Sequence, residues 1–440
     1  MTEIIKGDCI EVMKRLKPNC IDAVISDPPY NLGFMGKKWD VISNYQKSTE
    51  LWATEALRVL KPGGYALVFG GTRTFHREMC GLEDAGFEIR DTIMWLYGTG
   101  FPKGHNIGKG IDKKLGKERV VIDTVTKARA KGQKMALPTM GAETKYIDLD
   151  ITAPNSPESK QWEGWNTNLK PAYEPIIMCR KPFKGTVVDN VLKWGTGGIN
   201  IDACRISTND NLNGGSYDPD RTSKELLTDA SSYCILPTKK EFKQPTGRYP
   251  ANIILDEVSA EMLDEQSGVS MSSKNVMSDN RKNIGKSMFI DGVRNPENSY
   301  LDKGDASRFF YVAKASKSER NMGCEALEER LAPTSTWASK PFKKTSDIPK
   351  YNTGNITPPT KSHNIHPCVK PLKLIEYLIK MVSVEGAVIL DPFVGSGTTC
   401  IACKKLHRKC IGIDNNAEYV EIAKSRIDSV KINKRLGDIK

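Results

Sequence analysis

At 440 residues the chain can bury a large core, and its length suits roughly two domains. Its 65 Lys and Arg stand against 53 Asp and Glu, a net of +12 with a pI near 9.0, which fits a polyanionic partner without demanding one. No run approaches about 18 consecutive apolar residues, Met1-Thr2-Glu3 does not open a signal peptide, and the eleven cysteines show neither disulfide nor zinc spacing, so no membrane span, leader or metal is expected and the compartment should be the cytosol.

Residues 2–8 read as a strand ending in Gly7-Asp8. Asp8 precedes a helix over 9–16, with Glu11 three residues on, as in a capping box. Residues 21–26 form a second, buried strand, and Asp27-Pro28-Pro29-Tyr30 sits where it ends. That is where open α/β sheets carry their chemistry. Two successive prolines remove two amide donors and fix φ, so this loop is stiff. It gathers a carboxylate, one or two free carbonyls and an aromatic ring, a set suited to holding a flat heterocycle by its exocyclic amine. Taken alone, the four residues read equally as a Pro-Pro turn with an exposed Tyr.

In 31–40, glycines punctuate aromatic and basic side chains, as in a loop that clasps a flipped base. A surface loop with Trp39 packed on the core is the plainer alternative. A helix over 45–60 stops at Lys61-Pro62-Gly63-Gly64; a strand over 65–71, a helix over 74–85 and a strand over 87–97 follow. This alternation argues for a parallel sheet. Residues 98–170 break the rhythm. Over 101–184 there are 16 Lys and Arg against 9 Asp and Glu, with Trp162 and Trp165 among them. That mixture suits a nucleic-acid backbone and unstacked bases, or else a solvated insertion. A strand over 175–181 follows. Residues 185–362 show only short apolar pieces, at 253–255 and 309–312, and 205–235 and 270–306 are expected to be mobile loops.

Order returns at His366-Pro367-Cys368-Val369-Lys370-Pro371, which leads into a helix with Leu374, Ile375, Leu378, Ile379 and Val382 on its core face. A strand over 387–390 then ends in Asp391, followed by Pro392, Phe393, a turn through Gly395 and Gly397, and a helix opening at Thr398 and Thr399. Glycines let backbone approach a ligand closely, and a helix N-terminus favours an anionic group. The next strand ends in Asp414, 23 residues after Asp391, a spacing that puts an acid on a ribose in nucleotide-binding units. There is no GxxxxGK[ST] loop, so a nucleoside triphosphate is not expected. Cys400 and Cys403 form the only CxxC, inside the predicted helix, and read as core thiols. A last helix over 417–430 covers the sheet.

Asp27 to Tyr30, taken with Asp391 to Thr399, resembles the DNA amino-methyltransferases, which use S-adenosyl-L-methionine to methylate the exocyclic nitrogen of adenine or cytosine. The tetrapeptide precedes the cofactor motif, as in the permuted β group, and 3–100 and 363–430 carry the likeness best. The tracts 169–176, 195–202 and 307–311 are similar to phage and prophage members. The resemblance implies a doubly wound, mostly parallel Rossmann-like α/β sheet with a circularly permuted motif order and a large inserted target-recognition region. Residues 1–100 are then the catalytic half, 101–365 the inserted hairpin and recognition region, and 366–440 the cofactor half. The strands ending at Asp8, Asp27, Asp391 and Asp414 should lie side by side, and the strand at 175–181 should pair with that at 87–97 and close the sheet.

By the same resemblance, Asp27, Pro28, Pro29 and Tyr30 are catalytic: Tyr30 stacks on a flipped base while Asp27 and the Pro28 carbonyl accept its amine. The cofactor falls to Asp8 and Cys9 near its adenine amine, Phe393 on the adenine face, Asp414 on the ribose, and Gly395, Gly397 and Thr398 at the methionine end, with Asp391, Pro392 and Thr399 in the same turn. His366 and Lys370 touch its carboxylate, unless they only shape the helix entry; Asp8 equally reads as a plain helix cap. Double-stranded DNA is the implied partner, with a cognate restriction endonuclease and a second copy of the chain as further partners to consider, in a bacterial or phage-infected cytoplasm. Asp at position 27 leans toward the N6 of adenine, since cytosine enzymes of this kind more often carry Ser there. N4-cytosine transfer is the alternative, and a catalytically inactive DNA-binding partner is the alternative from another class. A C5-cytosine enzyme needs a Pro-Cys nucleophile, and Pro367-Cys368 lies away from both motifs.

Overall fold

The Ile21–Ser26 run is buried at all six positions, so both faces of this strand need cover. Even Asp22 is tolerated there, because its carboxylate accepts from Lys61 Nζ at 2.5 Å and from the Val388 amide at 2.7 Å. Around this strand a computed structural model, which describes residues 2–33, 40–100, 104–130, 144–210, 212, 244–271, 303–313, 317–331 and 361–431, builds a nine-stranded sheet. Its strands in chain order are β1 (Thr2–Lys6), β2 (Ile21–Ser26), β3 (Leu60–Phe69), β4 (Glu88–Leu96), β5 (Tyr173–Arg180), β6 (Ile253–Asp256), β7 (Tyr311–Ala313), β8 (Val388–Asp391) and β9 (Lys409–Asp414). Their order across the sheet is β1-β9-β8-β2-β3-β5-β4-β6-β7. β5 runs antiparallel to both its neighbours, and the other pairings are parallel.

The four acid-bearing strand ends fall together as expected: β1, β9, β8 and β2 are consecutive, with Lys6 opposite Asp414 and Leu390 opposite Val24. Helices cover both faces. Tyr45–Val59 and Phe75–Asp84 pack on one side through Trp52, Ala53, Ala56 and Leu82. Leu372–Val382 and Thr398–Lys405 pack on the other, the former through Leu374, Ile375, Leu378, Ile379 and Val382. Cys400 and Cys403 are buried in that second core, beside Cys410 of β9.

The sheet differs from expectation in two places. Lys61-Pro62-Gly63-Gly64 ends the preceding helix, yet it belongs to β3; the register of β3 on β2 shifts across it, and Gly63 takes φ +76°. β5 does pair with β4, but it does not close the sheet. It lies between β3 and β4, and β6 and β7 extend the sheet beyond. These are the apolar pieces at 253–255 and 309–312, too short for periodicity to declare them; they cover an edge that β4 would otherwise leave unpaired. Outside the sheet, 98–172 forms an ordered insertion where described. It holds a helix (Ile107–Lys114), a hairpin of Val120–Ala130 with Thr144–Ala153, and a short helix (Pro157–Gln161). Its centre is polar: Arg119 pairs with Asp112 at 3.1 Å and Glu163 at 2.9 Å, and Asp112 accepts from Ser156 Oγ at 2.8 Å. A polar centre leaves no hydrophobic pattern to read. The loops expected at 205–235 and 270–306 lie mostly outside the described residues, as does the core of the loop after Tyr30, 34–39.

Ile176 of β5 is fully buried between the two halves of the sheet. Ile176→Ala should cost about 2–5 kcal/mol, measured by denaturant unfolding; a loss below about 1 kcal/mol would mean that β5 is not an integral strand.

Candidate active site

Asp27 follows β2 directly, and each of its two oxygens accepts one hydrogen bond. Tyr30 donates its hydroxyl to Oδ1 at 2.5 Å, and Lys370 Nζ meets Oδ2 at 2.7 Å. Glu174, near the start of β5, joins the group: its Oε2 lies 3.3 Å from the Tyr30 hydroxyl and 3.2 Å from Lys370 Nζ. The Lys370 side chain is only 11% exposed, and its ammonium also lies 4.9 Å from the centre of the Phe69 ring. Burial works against its charge, but Asp27 and then Glu174 outweigh that and hold the ammonium above its ordinary range. Burial, with Asp27 and Glu174 beside it, raises Tyr30 well above the usual phenol range, so the ring keeps its proton. The stiffness expected of the tetrapeptide is reinforced from outside. Thr74 Oγ1 donates to the Tyr30 carbonyl at 2.6 Å, and Asp40 accepts from the amides of Asn31 at 2.7 Å and Leu32 at 3.1 Å.

On the neighbouring strand end, Asp391 is buried and accepts from Ser26 Oγ at 3.1 Å and from the Phe393 amide at 3.1 Å, with Thr399 as a further donor. Burial pushes its carboxyl up to about 7 against those hydrogen bonds. Pro392, Thr398 and Thr399 are buried with it. Asp391 is therefore the internal strut of the turn. Asp414 stands at the tip of β9 and accepts from the Gly395 amide at 3.0 Å and the Asn416 amide at 2.8 Å. Burial raises its pKa, opposed by those two amides. Phe393 is half-buried with its ring edge-on to Trp52, 5.6 Å between centroids.

The glycine turn needs its glycines. Gly395 has φ +48°, and a Cβ there would lie 2.6 Å from His366 Nε2; Gly397 has φ +83°, and a Cβ would lie 2.9 Å from Ala423 Cβ. His366 thus packs on the turn, its other face edge-on to Tyr419, its Nδ1 on the Cys368 carbonyl. Burial lowers its pKa to about 4, so the ring is neutral. Below the turn, the buried Arg426 guanidinium donates to the Ser396 carbonyl at 2.5 Å, to Ser396 Oγ at 2.9 Å and to the Glu319 carbonyl at 3.0 Å. Asp8 caps the helix Cys9–Lys14, its Oδ1 accepting from Ile10 and Glu11, and Cys9 is half-buried with its thiol pushed up to about 12 by burial and by Asp8.

The residues expected from sequence therefore fall into two adjoining groups on one sheet edge. Asp27 and Tyr30 form the first; Asp391, Phe393, Gly395, Gly397 and Asp414 form the second, with Asp8 at the end of the adjacent β1. His366 joins the second group but Lys370 joins the first. A family model described as DNA methylase, N6_N4_Mtase, matches residues 21–425. The chain belongs to this DNA methylase family. Among relatives, the type II methyltransferase M.HindIII of Haemophilus influenzae is 21% identical over 98% of this chain and 96% of its own length. M.HpaI of Haemophilus parainfluenzae is 54% identical over a segment that makes up 16% of this chain and 22% of that protein. Of solved structures, the cytosine-N4-specific PvuII DNA methyltransferase aligns over 97% of this chain and 86% of its own, at 13% identity and a TM-score of 0.42, too low to add to the assignment.

Three residues in this methylase's site escape sequence reading. Glu174 lies in the tract 169–176 that resembles the family, but nothing local marks its side chain as part of the site. Ser26 and Arg426 act through contacts 365 and 30 positions away. Only pairing of distant segments shows them.

Asp391 gives a pH test. Its folded pKa is raised above the unfolded value, so the stability its neutral form supplies is present below about pH 4 and lost as pH climbs through about 7. Asp391→Asn should gain in Tm relative to the wild type between pH 5 and pH 8; a constant difference would show that Asp391 titrates normally.

Proposed function

We propose that this DNA methylase transfers a methyl group from S-adenosylmethionine to the exocyclic N6 of adenine in double-stranded DNA. The observation that carries the reading is the placement of Asp27 and Tyr30 on the sheet edge next to the Asp391–Thr399 turn and Asp414. The second group fits the cofactor. Asp414 offers a carboxylate to a ribose diol, Phe393 an apolar face to adenine, and the turn with its helix N-terminus amide dipoles to a carboxylate. When bound, the cofactor supplies an electrophilic methyl group on a sulfonium.

Asp27 and the Pro28 carbonyl accept the two amine hydrogens of a flipped base, which localises the nitrogen lone pair for in-line attack, and the proton that the methylated amine must lose leaves by way of the Asp27 carboxylate to solvent. Tyr30, held by its carbonyl on Thr74, stacks on the base. No covalent enzyme intermediate is needed; positioning and fixed charges supply the acceleration. Lys370, which the resemblance would put on the cofactor, serves the Asp27 side by fixing Oδ2. An Asp rather than Ser at position 27 favours adenine over the N4 of cytosine.

The insertion at 98–172 supports duplex binding. It leaves and re-enters the sheet at β4 and β5, one residue from Glu174, and presents Trp162 and Trp165 in edge contact at 4.9 Å, 39% and 58% exposed. With the positive charge of 101–184, these rings suit stacking on bases beside the flipped one.

Nucleoside mass spectrometry of unmethylated DNA incubated with the protein and labelled cofactor should yield N6-methyladenine. N4-methylcytosine would reverse the choice of base, and unlabelled DNA would remove the reading altogether. Trp162→Ala with Trp165→Ala should weaken duplex binding at least about ten-fold and leave cofactor affinity unchanged; full duplex affinity would take the insertion out of the interface.

A further inference from the structure

The hydrogen bonds around Asp27 set how strongly it can accept the target amine. Tyr30 donates to Oδ1 and Lys370 to Oδ2, so each oxygen keeps a lone pair for an incoming amine, but two donors, one of them charged, already draw on the acceptor the amine needs. Loosening these bonds would strengthen Asp27 as an acceptor; Lys370 Nζ also donates to the Tyr30 hydroxyl at 3.1 Å, but a buried ammonium is poorly served by a neutral hydroxyl alone. Each of these donors has a second acceptor within reach, and it is the same atom. Glu174 Oε2 lies 3.2 Å from Lys370 Nζ and 3.3 Å from the Tyr30 hydroxyl, whereas the corresponding Asp27 distances are 2.7 and 2.5 Å. The phenol has one proton and two carboxylates to choose from. Its present choice is Asp27.

We infer that Glu174 is a positioning residue for methyl transfer: it takes over the Tyr30 hydroxyl and the Lys370 ammonium as the target amine claims Asp27. This rests on the function proposed above. Glu174 is well placed for the role because its backbone is paired within the sheet. It stands opposite Trp95 in the β4–β5 ladder, and the next carbonyl, of Pro175, accepts from the Gly70 amide at 2.9 Å. The side chain remains 26% exposed, so rotamer adjustment can bring it closer to both donors. With Glu174 absent, loosening Asp27 leaves the lysine charge only the neutral Tyr30 hydroxyl, so the amine competes against a tighter Asp27–Lys370 pair.

The test compares Glu174→Gln and Glu174→Asp with the wild type in steady-state methylation and in equilibrium binding of cofactor. Glu174→Gln should lower kcat at least about ten-fold, with the KM for DNA and the cofactor dissociation constant within about two-fold and Tm little changed. Glu174→Asp, which keeps the charge, should recover part of kcat. A Gln variant within two-fold of wild-type kcat overturns the inference, as does a loss shared equally by both variants or one explained by weaker cofactor binding. If Glu174→Gln fails to fold, the kcat of Glu174→Asp decides: a reduction at unchanged cofactor affinity supports the inference, and wild-type turnover overturns it. A wild-type enzyme that binds cofactor but never labels DNA would instead count against the function itself.

Discussion

The pairing of β2 with β8 joins residues some 366 positions apart, and the rest of the site depends on it. Ile389 lies opposite Ala23 and Leu390 opposite Val24, so the two strands end together. Ser26 then reaches Asp391, and Asp22 reaches the Val388 amide. The first tie holds the glycine turn beside the Asp27 loop; the second, together with Lys61, settles a carboxylate inside the core. Neither half of the chain contains a complete site. The two become one because a parallel sheet sets strand ends side by side at one edge, where loops carrying chemistry have room to meet.

Within that edge the charges are arranged by depth. Asp391 is deepest, raised by burial and committed to the turn. Asp414 is shallower and engages two amides, which leaves lone pairs for a ligand. Asp27 is paired with a lysine that also answers to Glu174. So three acids on adjacent strands do different work, and the difference comes from what surrounds them. Lys370 changes the balance most: it places positive charge beside Asp27 and Glu174, while the turn offers mainly backbone dipoles on the other side.

Much of this was legible in the sequence. Asp27-Pro28-Pro29-Tyr30 announces itself because two prolines after a buried strand have few uses, and the Asp391–Thr399 turn because glycines at 395 and 397 follow a strand end. The placement of Asp8, Asp27, Asp391 and Asp414 on adjacent strands came from the family resemblance, and β1, β9, β8 and β2 bear it out. What stayed hidden was long-range or short. β6 and β7 are four and three residues long and acquire identity only by pairing. The insertion is organised about the Asp112–Arg119 pair, so periodicity has nothing to detect. Lys370 could be tied to the site from its motif, but not to the carboxylate it faces.

The most direct test separates the two groups on the sheet edge. Cofactor affinity and single-turnover methyl transfer should be measured on the same preparation of Asp27→Ala. The account expects cofactor affinity within a few-fold of the wild type and transfer slowed by at least about a thousand-fold. Transfer at near wild-type rate, or a cofactor site lost together with Asp27, would contradict it.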